Sequence, residues 1–255
     1  MITIDLQGHL AVVTGGAGQI GRVICTMLAK AGCNVAVHYF QGQQRAQELA
    51  NRLEAEYGVS SAAFQADVSK LESVSNMQAQ IVHLLGNPDI LVNGAVVQYE
   101  WKPLLEQDTA DFVSQFESCV LHNVHMAKAF LPAMQRKGWG RIIGINSECA
   151  MQCFAGQSAY AAGKRGMDGI LRTLAKEAGP YGVTVNEIAP GQTYSDRYRE
   201  SGRRSSDAYL AKVPLKKQNT DWDVANAVLF LASELSASVT GAFLPVCGGN
   251  VMPGI

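Results

Sequence analysis

Short runs rich in Val, Ile and Ala recur along this chain at residues 10–14, 34–39, 62–66, 89–93, 141–145, 183–188 and 242–246. Most are nearly continuous in apolar character, which fits strands covered on both faces rather than half-wet ones. Between them, segments 19–30, 43–56, 70–85, 108–136, 157–179 and 221–231 predict helices. Gly32 stops the first of these, and the second is polar and Gln-rich. Such regular alternation predicts an α/β chain with a mostly parallel seven-stranded sheet and helices on both faces. Right-handed crossovers then make it a doubly wound Rossmann fold, and the absence of a linker or repeat predicts a single domain over residues 1–255. Residues 191–220 break the rhythm, being polar, rich in Arg and Lys and poor in strand signal. An insertion beyond a strand's C-terminal end is expected to be a substrate lid.

Composition changes this picture little. The 255 residues are 47% hydrophobic and 17% charged with a formal net charge of -1, so neither a nucleic-acid partner nor an acidic tail is indicated. No apolar run approaches the roughly 18–20 residues that span a bilayer. The start Met1-Ile2-Thr3-Ile4-Asp5 lacks a basic region followed by an apolar one, and a cytoplasmic location is expected. Six scattered cysteines form no C-x-x-C pair and no Cys/His cluster of zinc-ligand spacing, so reduced thiols and no metal are expected.

Strand, glycine loop and helix follow one another at Thr14-Gly15-Gly16-Ala17-Gly18-Gln19-Ile20-Gly21. Gly16, Gly18 and Gly21 spell G-x-G-x-x-G in the context a dinucleotide pyrophosphate requires, with glycines for close approach and a helix N-terminus for the charge. After the second strand an acid would bind the ribose 2′-OH of NAD and a base the 2′-phosphate of NADP. His38-Tyr39-Phe40-Gln41 offers neither. The missing acid tilts the expectation toward NADP, and the lack of an adjacent Arg, with only Arg45 nearby, leaves NAD open.

Tyr160 and Lys164 lie four apart on a predicted helix, hence on one face. A free phenol holds its proton at neutral pH, and a nearby ammonium favours the phenolate, so Tyr160 could exchange a proton with a carbonyl or alcohol oxygen. Ser147, thirteen residues earlier and just past the fifth strand, could hydrogen-bond the same oxygen.

These motifs together resemble the short-chain dehydrogenase/reductase family over nearly the whole chain. The glycine loop follows the T-G-x-x-G-x-x-G spelling of the family's extended branch, because Gln19 breaks the T-G-x-x-x-G-x-G of the classical one. Only 91 residues follow Lys164, however, too few for the extended branch's second domain, so classical architecture is expected. The resemblance implies Ser147, Tyr160 and Lys164 as catalytic residues. It implies cofactor contacts at Gly15, Gly18, Gln19, Ile20, Gly21, Tyr39, Asp67, Val68, Asn93, Ala95, Tyr160, Lys164, Pro190 and Gly191. The Asn93 to Val96 segment departs from the family's N-N-A-G at two positions. Cys119 stands where the family usually has a catalytic Asn that holds a relay water; Asn123 is one turn on, too far for simple replacement. Cys247 replaces a usual Asp. The family also implies a homotetramer built through the long helix and the C-terminal helix and strand.

The expected activity is NAD(P)-dependent interconversion of a secondary alcohol and a ketone on a small polar substrate, a sugar derivative or hydroxy acid. Alternatives are a 3-oxoacyl reductase-like activity, an epimerase that uses bound cofactor, or a non-catalytic dinucleotide-binding protein. Glu148 and Gln152 are candidate polar contacts, Cys149 and Cys153 apolar wall residues, and Trp101 and Tyr194 sit on loops near the expected mouth. A basic run including Arg197, Arg199, Arg203, Arg204, Lys212, Lys216 and Lys217 reads as a solvated segment or as a lid for an anionic substrate. His122 and His125, three apart, read as an interface or solvated pair rather than metal ligands.

Overall fold

A computed structural model describes residues 4–202 and 204–253. Arg203 and the side chain of Arg197, two of the bases expected on the lid, lie outside the described residues, as does the N-terminal tripeptide.

The chain runs β1 (Leu10–Thr14), α1 (Gln19–Lys30), β2 (Asn34–Tyr39), α2 (Gln43–Tyr57), β3 (Ser61–Gln65), α3 (Leu71–Leu85) and β4 (Ile90–Asn93). After a long loop come α4 (Thr109–Gln115), α5 (His122–Lys137), β5 (Gly140–Ile145), α6 (Cys149–Gln152), α7 (Ser158–Ala178) and β6 (Val183–Pro190). The remainder is β7 (Thr193–Tyr194), α8 (Asp196–Ser201), α9 (Asp207–Lys212), β8 (Asn219–Thr220), α10 (Asp221–Ala232) and β9 (Phe243–Val246). Seven strands form one sheet in the order β3-β2-β1-β4-β5-β6-β9. Every pairing in it is parallel, not merely most.

The near-continuous apolar strands are explained by two cores, one on each face of the sheet. Alternate residues serve opposite sides: Val13, Val35 and Val92 join α1, α2 and α10, whereas Val12, Ala36 and Leu91 join α3, α5 and α7. Strand order reverses between β1 and β4, which opens a crevice beyond their C-terminal ends, where ligands bind in folds of this kind. Thr14 and Asn93 are register partners at that edge.

The expected unbroken helix over 108–136 is a correction. Between α4 and α5 the chain widens into a π-helical turn, Phe116–Leu121. The widened turn lies tightly against the neighbouring helix. Gly163 and Gly166 of α7 press against this stretch so closely that an added Cβ would lie 2.9 Å from the Gln115 carbonyl oxygen and 2.7 Å from Val120 Cγ2. Asn123 Nδ2 donates to the Cys119 carbonyl at 2.7 Å, so that oxygen keeps a partner despite the widened turn. The 191–220 segment also carries more structure than its sequence predicts. β7 and β8 pair at its two ends and close its base, while α8 and α9 lie between them. No described helix is long and apolar enough to cross a membrane.

Candidate active site

The glycine loop is braced from three sides. Thr14 Oγ1 accepts from the Gly94 and Ala95 amides at 2.9 and 3.3 Å and donates to the Val92 carbonyl, clamping the ends of β1 and β4 together. Gly15 takes a left-handed conformation (φ 68°). A Cβ at Gly21 would collide with the Gly15 carbonyl, so only glycine lets α1 begin this close to the loop. His38, buried at the end of β2, accepts from the Gly15 amide at Nδ1 (3.0 Å) and donates from Nε2 to the Ala66 carbonyl (3.1 Å). Burial pushes its imidazole down to about 4, which keeps Nδ1 free to accept at neutral pH. Nothing in the motif marks His38; its one sequence signal is a polar residue inside an apolar strand.

α1 begins at Gly18 with no side-chain cap and no acidic residue in its first turn. Its amides and the glycine cradle together fit the pyrophosphate of a dinucleotide. A cavity of about 310 Å³ runs from this point past Thr14, Ile20, Gly21, Gly94 and Val96 to Ser147, Tyr160, Lys164, Pro190 and Gly191. A separate one of about 240 Å³, at the far end, is lined by His38, Phe40, Asp67, Val68, Ala95 and Val96. Burial raises the Asp67 carboxyl, but bonds from the Ser69 hydroxyl and amide with Lys70 beside it outweigh that and hold it low.

Three residues expected along this cleft are used differently. Tyr39 packs in the core with Ala46 and Leu49, because its place in β2 directs it toward α2, and Phe40 is the residue exposed at the cleft end. Asn93 is buried and donates to Asn123 Oδ1 at 2.8 Å. Gln19 turns to the 191–220 segment, where its Oε1 accepts a very short bond from Ser195 Oγ. Three residues on, Arg22 forms an ion pair with Asp196 of α8.

Ser147, Tyr160 and Lys164 converge. Lys164 is buried in α7, donates to the Ile145 carbonyl at 2.6 Å, and its Nζ lies 5.7 Å from the centre of the Tyr160 ring. The Tyr160 amide donates to the Tyr99 hydroxyl at 2.8 Å, which ties the start of α7 to the loop after β4. Ser147 accepts from the Cys149 amide at 3.1 Å, and its own amide donates to Asn146 Oδ1. Cys119 is buried on the π-helical turn among apolar neighbours, with Sγ 3.9 Å from Gln115 Oε1. Gln115 in turn donates to the Val97 carbonyl at 2.9 Å.

Ser147 and Tyr160 also form one wall of a second cavity, about 420 Å³. Gln98, Tyr99, Glu148, Gln157, Gln192 and Tyr209 give it a polar lining, and Val97, Trp101, Cys149 and Phe154 supply apolar surface. Glu148 accepts from the Tyr209 hydroxyl (2.9 Å) and from Asn250 Nδ2 (3.0 Å). Burial still raises its carboxyl above the ordinary range, despite those bonds. Tyr209 also accepts from the Gln192 amide, so α9 is fastened both to the residue after Ser147 and to the loop after β6. The basic run is partly neutralised within the protein: Arg199 forks onto the buried Asp221 at 2.9 and 2.7 Å. Gln152 donates to the Asn250 carbonyl, and Cys153 sits exposed in a left-handed conformation. His122 and His125 are bonded through Nδ1 to the carbonyls of Ser118 and Val68, and no cluster of three metal-ligating side chains occurs among the described residues.

A parallel doubly wound sheet whose switch-point cleft joins a phosphate-cradling loop to a half-buried tyrosine backed by a buried lysine defines a dinucleotide-dependent oxidoreductase. Comparison with known proteins places it more narrowly. Residues 15–250 match the family profile described as Enoyl-(Acyl carrier protein) reductase. The 3-oxoacyl-[acyl-carrier-protein] reductase of Pseudomonas aeruginosa is 36% identical over 249 residues, 98% of this chain and all of that protein. The acetoacetyl-CoA reductase of Allochromatium vinosum is 33% identical, covering 96% of this chain and all of its own length. Nodulation protein G of Azospirillum brasilense is 35% identical over 96% of this chain and 98% of its own. The chain belongs to the short-chain dehydrogenase/reductase family and is an NAD(P)-dependent oxidoreductase.

Proposed function

We propose that the enzyme interconverts a ketone and a secondary alcohol on a small polar substrate, with Tyr160 as general acid/base, Lys164 as its charged partner and Ser147 as hydrogen-bond donor to the reacting oxygen. The observation that carries this is the wall that Ser147 and Tyr160 share between the two cavities, one fitted to a dinucleotide and the other lined by amides and a carboxyl. A bound nicotinamide supplies or accepts the hydride. The protein's part is to hold the carbonyl oxygen between the Ser147 and Tyr160 hydroxyls and to pass one proton through the phenol. Glu148, Gln98, Gln157 and Gln192 favour hydroxyl-bearing substrates such as sugar derivatives or hydroxy acids. In this reading the 191–220 segment is the lid over that cavity.

The names of the relatives favour a second substrate class, a 3-oxoacyl thioester, whose polar head would meet the same two hydroxyls. NADP is the preferred cofactor in our reading. No acid follows β2, and Arg45 lies over Gly42, whose added Cβ would be 2.9 Å from Nη2, so a guanidinium borders the expected 2′-position. A homo-oligomer is supported by an apolar groove between α5 and α7 lined by Val124, Leu131, Pro132, Ile170 and Leu174, and light scattering would read its stoichiometry. Six free thiols suit a reducing cytoplasm.

The test is a panel of polyols, sugar acids, hydroxy acids and acetoacetyl-CoA with NAD(H) and NADP(H) separately, followed by absorbance of the reduced cofactor. Turnover of polar alcohols or ketones with NADP(H) is expected. Tyr160→Phe should lower it by about 10²–10⁴-fold, the range for a lost acid/base, and leave cofactor affinity within a few-fold. Turnover of the thioester alone would establish the second class, and unchanged rates in Tyr160→Phe would remove the phenol from the chemistry.

A further inference from the structure

Behind the catalytic pair lies a carboxyl that none of the steps above uses. Glu187 of β6 is 2% exposed and faces α7 beside Gly144, where an added Cβ would lie 3.8 Å from Glu187 Cγ. From the end of β5, Asn146 Nδ2 donates a very short hydrogen bond to Glu187 Oε2. From α7, the Asp168 carboxyl stands within hydrogen-bonding reach, and Arg172 holds Asp168 Oδ1 through Nε at 2.6 Å. Asp168 and Arg172 are the charged groups on Glu187. β5 presents Gly144 and the neutral Asn146, and β9 presents Phe243, the register partner.

Two touching carboxyls cannot both ionise cheaply, and a single guanidinium serves the pair. Burial lifts the Glu187 carboxyl well above its ordinary value of 4.5; the Asn146 bond opposes this, and Asp168 adds to it. With Arg172 on Asp168, the proton resides on Glu187, which donates to Asp168 and accepts from Asn146. The Asn146 amide is the link to the chemistry. Its Oδ1 accepts from the Ser147 amide at 2.8 Å, while Nδ2 also donates to the Lys164 carbonyl at 3.1 Å. One side chain therefore joins the backbones of two proposed catalytic residues. A flipped amide would set donor against donor at Ser147 and acceptor against acceptor at Lys164.

We propose that Glu187 is a positioning residue for the reaction: backed by Asp168, it orients the Asn146 amide and so sets Ser147 against Lys164. This rests on the catalytic reading of Ser147 and Lys164, and the test separates the two. Three measurements are made on the intact enzyme, Glu187→Gln and Glu187→Ala: hydrogen exchange at the Ser147 amide, unfolding free energy against pH, and kcat with NADPH and acetoacetyl-CoA as probe. In Glu187→Ala the Ser147 amide should exchange at least tenfold faster, and kcat should fall by a similar factor with the KM for NADPH within twofold. Glu187→Gln, which can still accept from Asn146 and donate to Asp168, should restore both.

The pH dependence has a definite sign. A carboxyl raised on folding contributes stability that is complete below the unfolded value and is lost as pH rises through the folded one. The intact enzyme should therefore lose stability relative to Glu187→Gln as pH rises from about 4.5 into the neutral range. Unchanged Ser147 exchange and kcat in a folded Glu187→Ala would overturn the proposal. So would a stability difference between the intact enzyme and Glu187→Gln that is independent of pH, a result available even if Glu187→Ala does not fold. If no form turns over the probe, the thioester reading fails, while exchange and the pH slope still decide the role of Glu187.

Discussion

His38 shows how much a single side chain can contribute without belonging to a motif. It joins β2, the glycine loop and the start of the loop after β3 through one imidazole. The sequence points to its neighbours Tyr39 and Phe40 for contact with the ribose and gives His38 no role. One sequence does not distinguish a histidine that braces a turn from one that fills a core; only the distance to the Gly15 amide does. The same geometry makes it a pH liability. Burial depresses His38 from 6.5 to about 4 and His122 to about 3, so the folded chain binds fewer protons than the unfolded chain in that interval. The stability these neutral rings contribute is intact above about pH 6.5 and is lost as pH falls toward the folded values. At 1.36 kcal/mol per pH unit, His38 alone accounts for about 3 kcal/mol. Urea unfolding between pH 6.5 and 4 should show this decline, and His38→Gln should flatten it; an identical slope in the variant would remove His38 from the account.

At the level of elements, the sequence is most legible where an element answers only to the sheet. β1, α1 and β2 fall where the apolar pattern predicts them, because the strands are covered on both faces and their interiors are almost wholly apolar. The pattern fails at Phe116–Leu121, where the π-helical turn packs tightly against the small residues of α7, a contact the stretch's own sequence does not announce. α6 escaped notice because four residues are too few to show a period. The contact between the two helices yields a test against intuition. Alanine ordinarily favours a helix over glycine. Gly163→Ala, however, would place Cβ 2.9 Å from the Gln115 oxygen, immediately before Lys164. Overpacking of this kind costs about 1–3 kcal/mol, so Gly163→Ala should lower Tm and depress activity. A rise in Tm would show that α7 has room to move.

Taken whole, the molecule keeps the order of strands and helices that its sequence implies, and the cleft lies at the reversal of strand order, as such a sheet requires. What could not be read was how residues 191–220 attach to the rest. Their basic character suggested a field for an anionic substrate, yet Arg199 is engaged with Asp196 and Asp221, and Tyr209 is anchored on Glu148. Such bonds join residues up to 176 positions apart, and no local pattern announces them. Among these, Ser195 with Gln19 and Asp196 with Arg22 have a kinetic meaning. In the proposed function α1 seats the dinucleotide and α8, whose Tyr198 lines the same cavity, belongs to the lid, so these two bonds would tie seat to lid. A molecule leaving the seat would then have to wait for the lid. On that reading departure rather than chemistry is expected to set the tempo: turnover should slow as solvent viscosity is raised with sucrose, and Arg22→Ala should raise the maximal rate while weakening cofactor retention severalfold. Turnover indifferent to viscosity would place the slow step back at the bond being made.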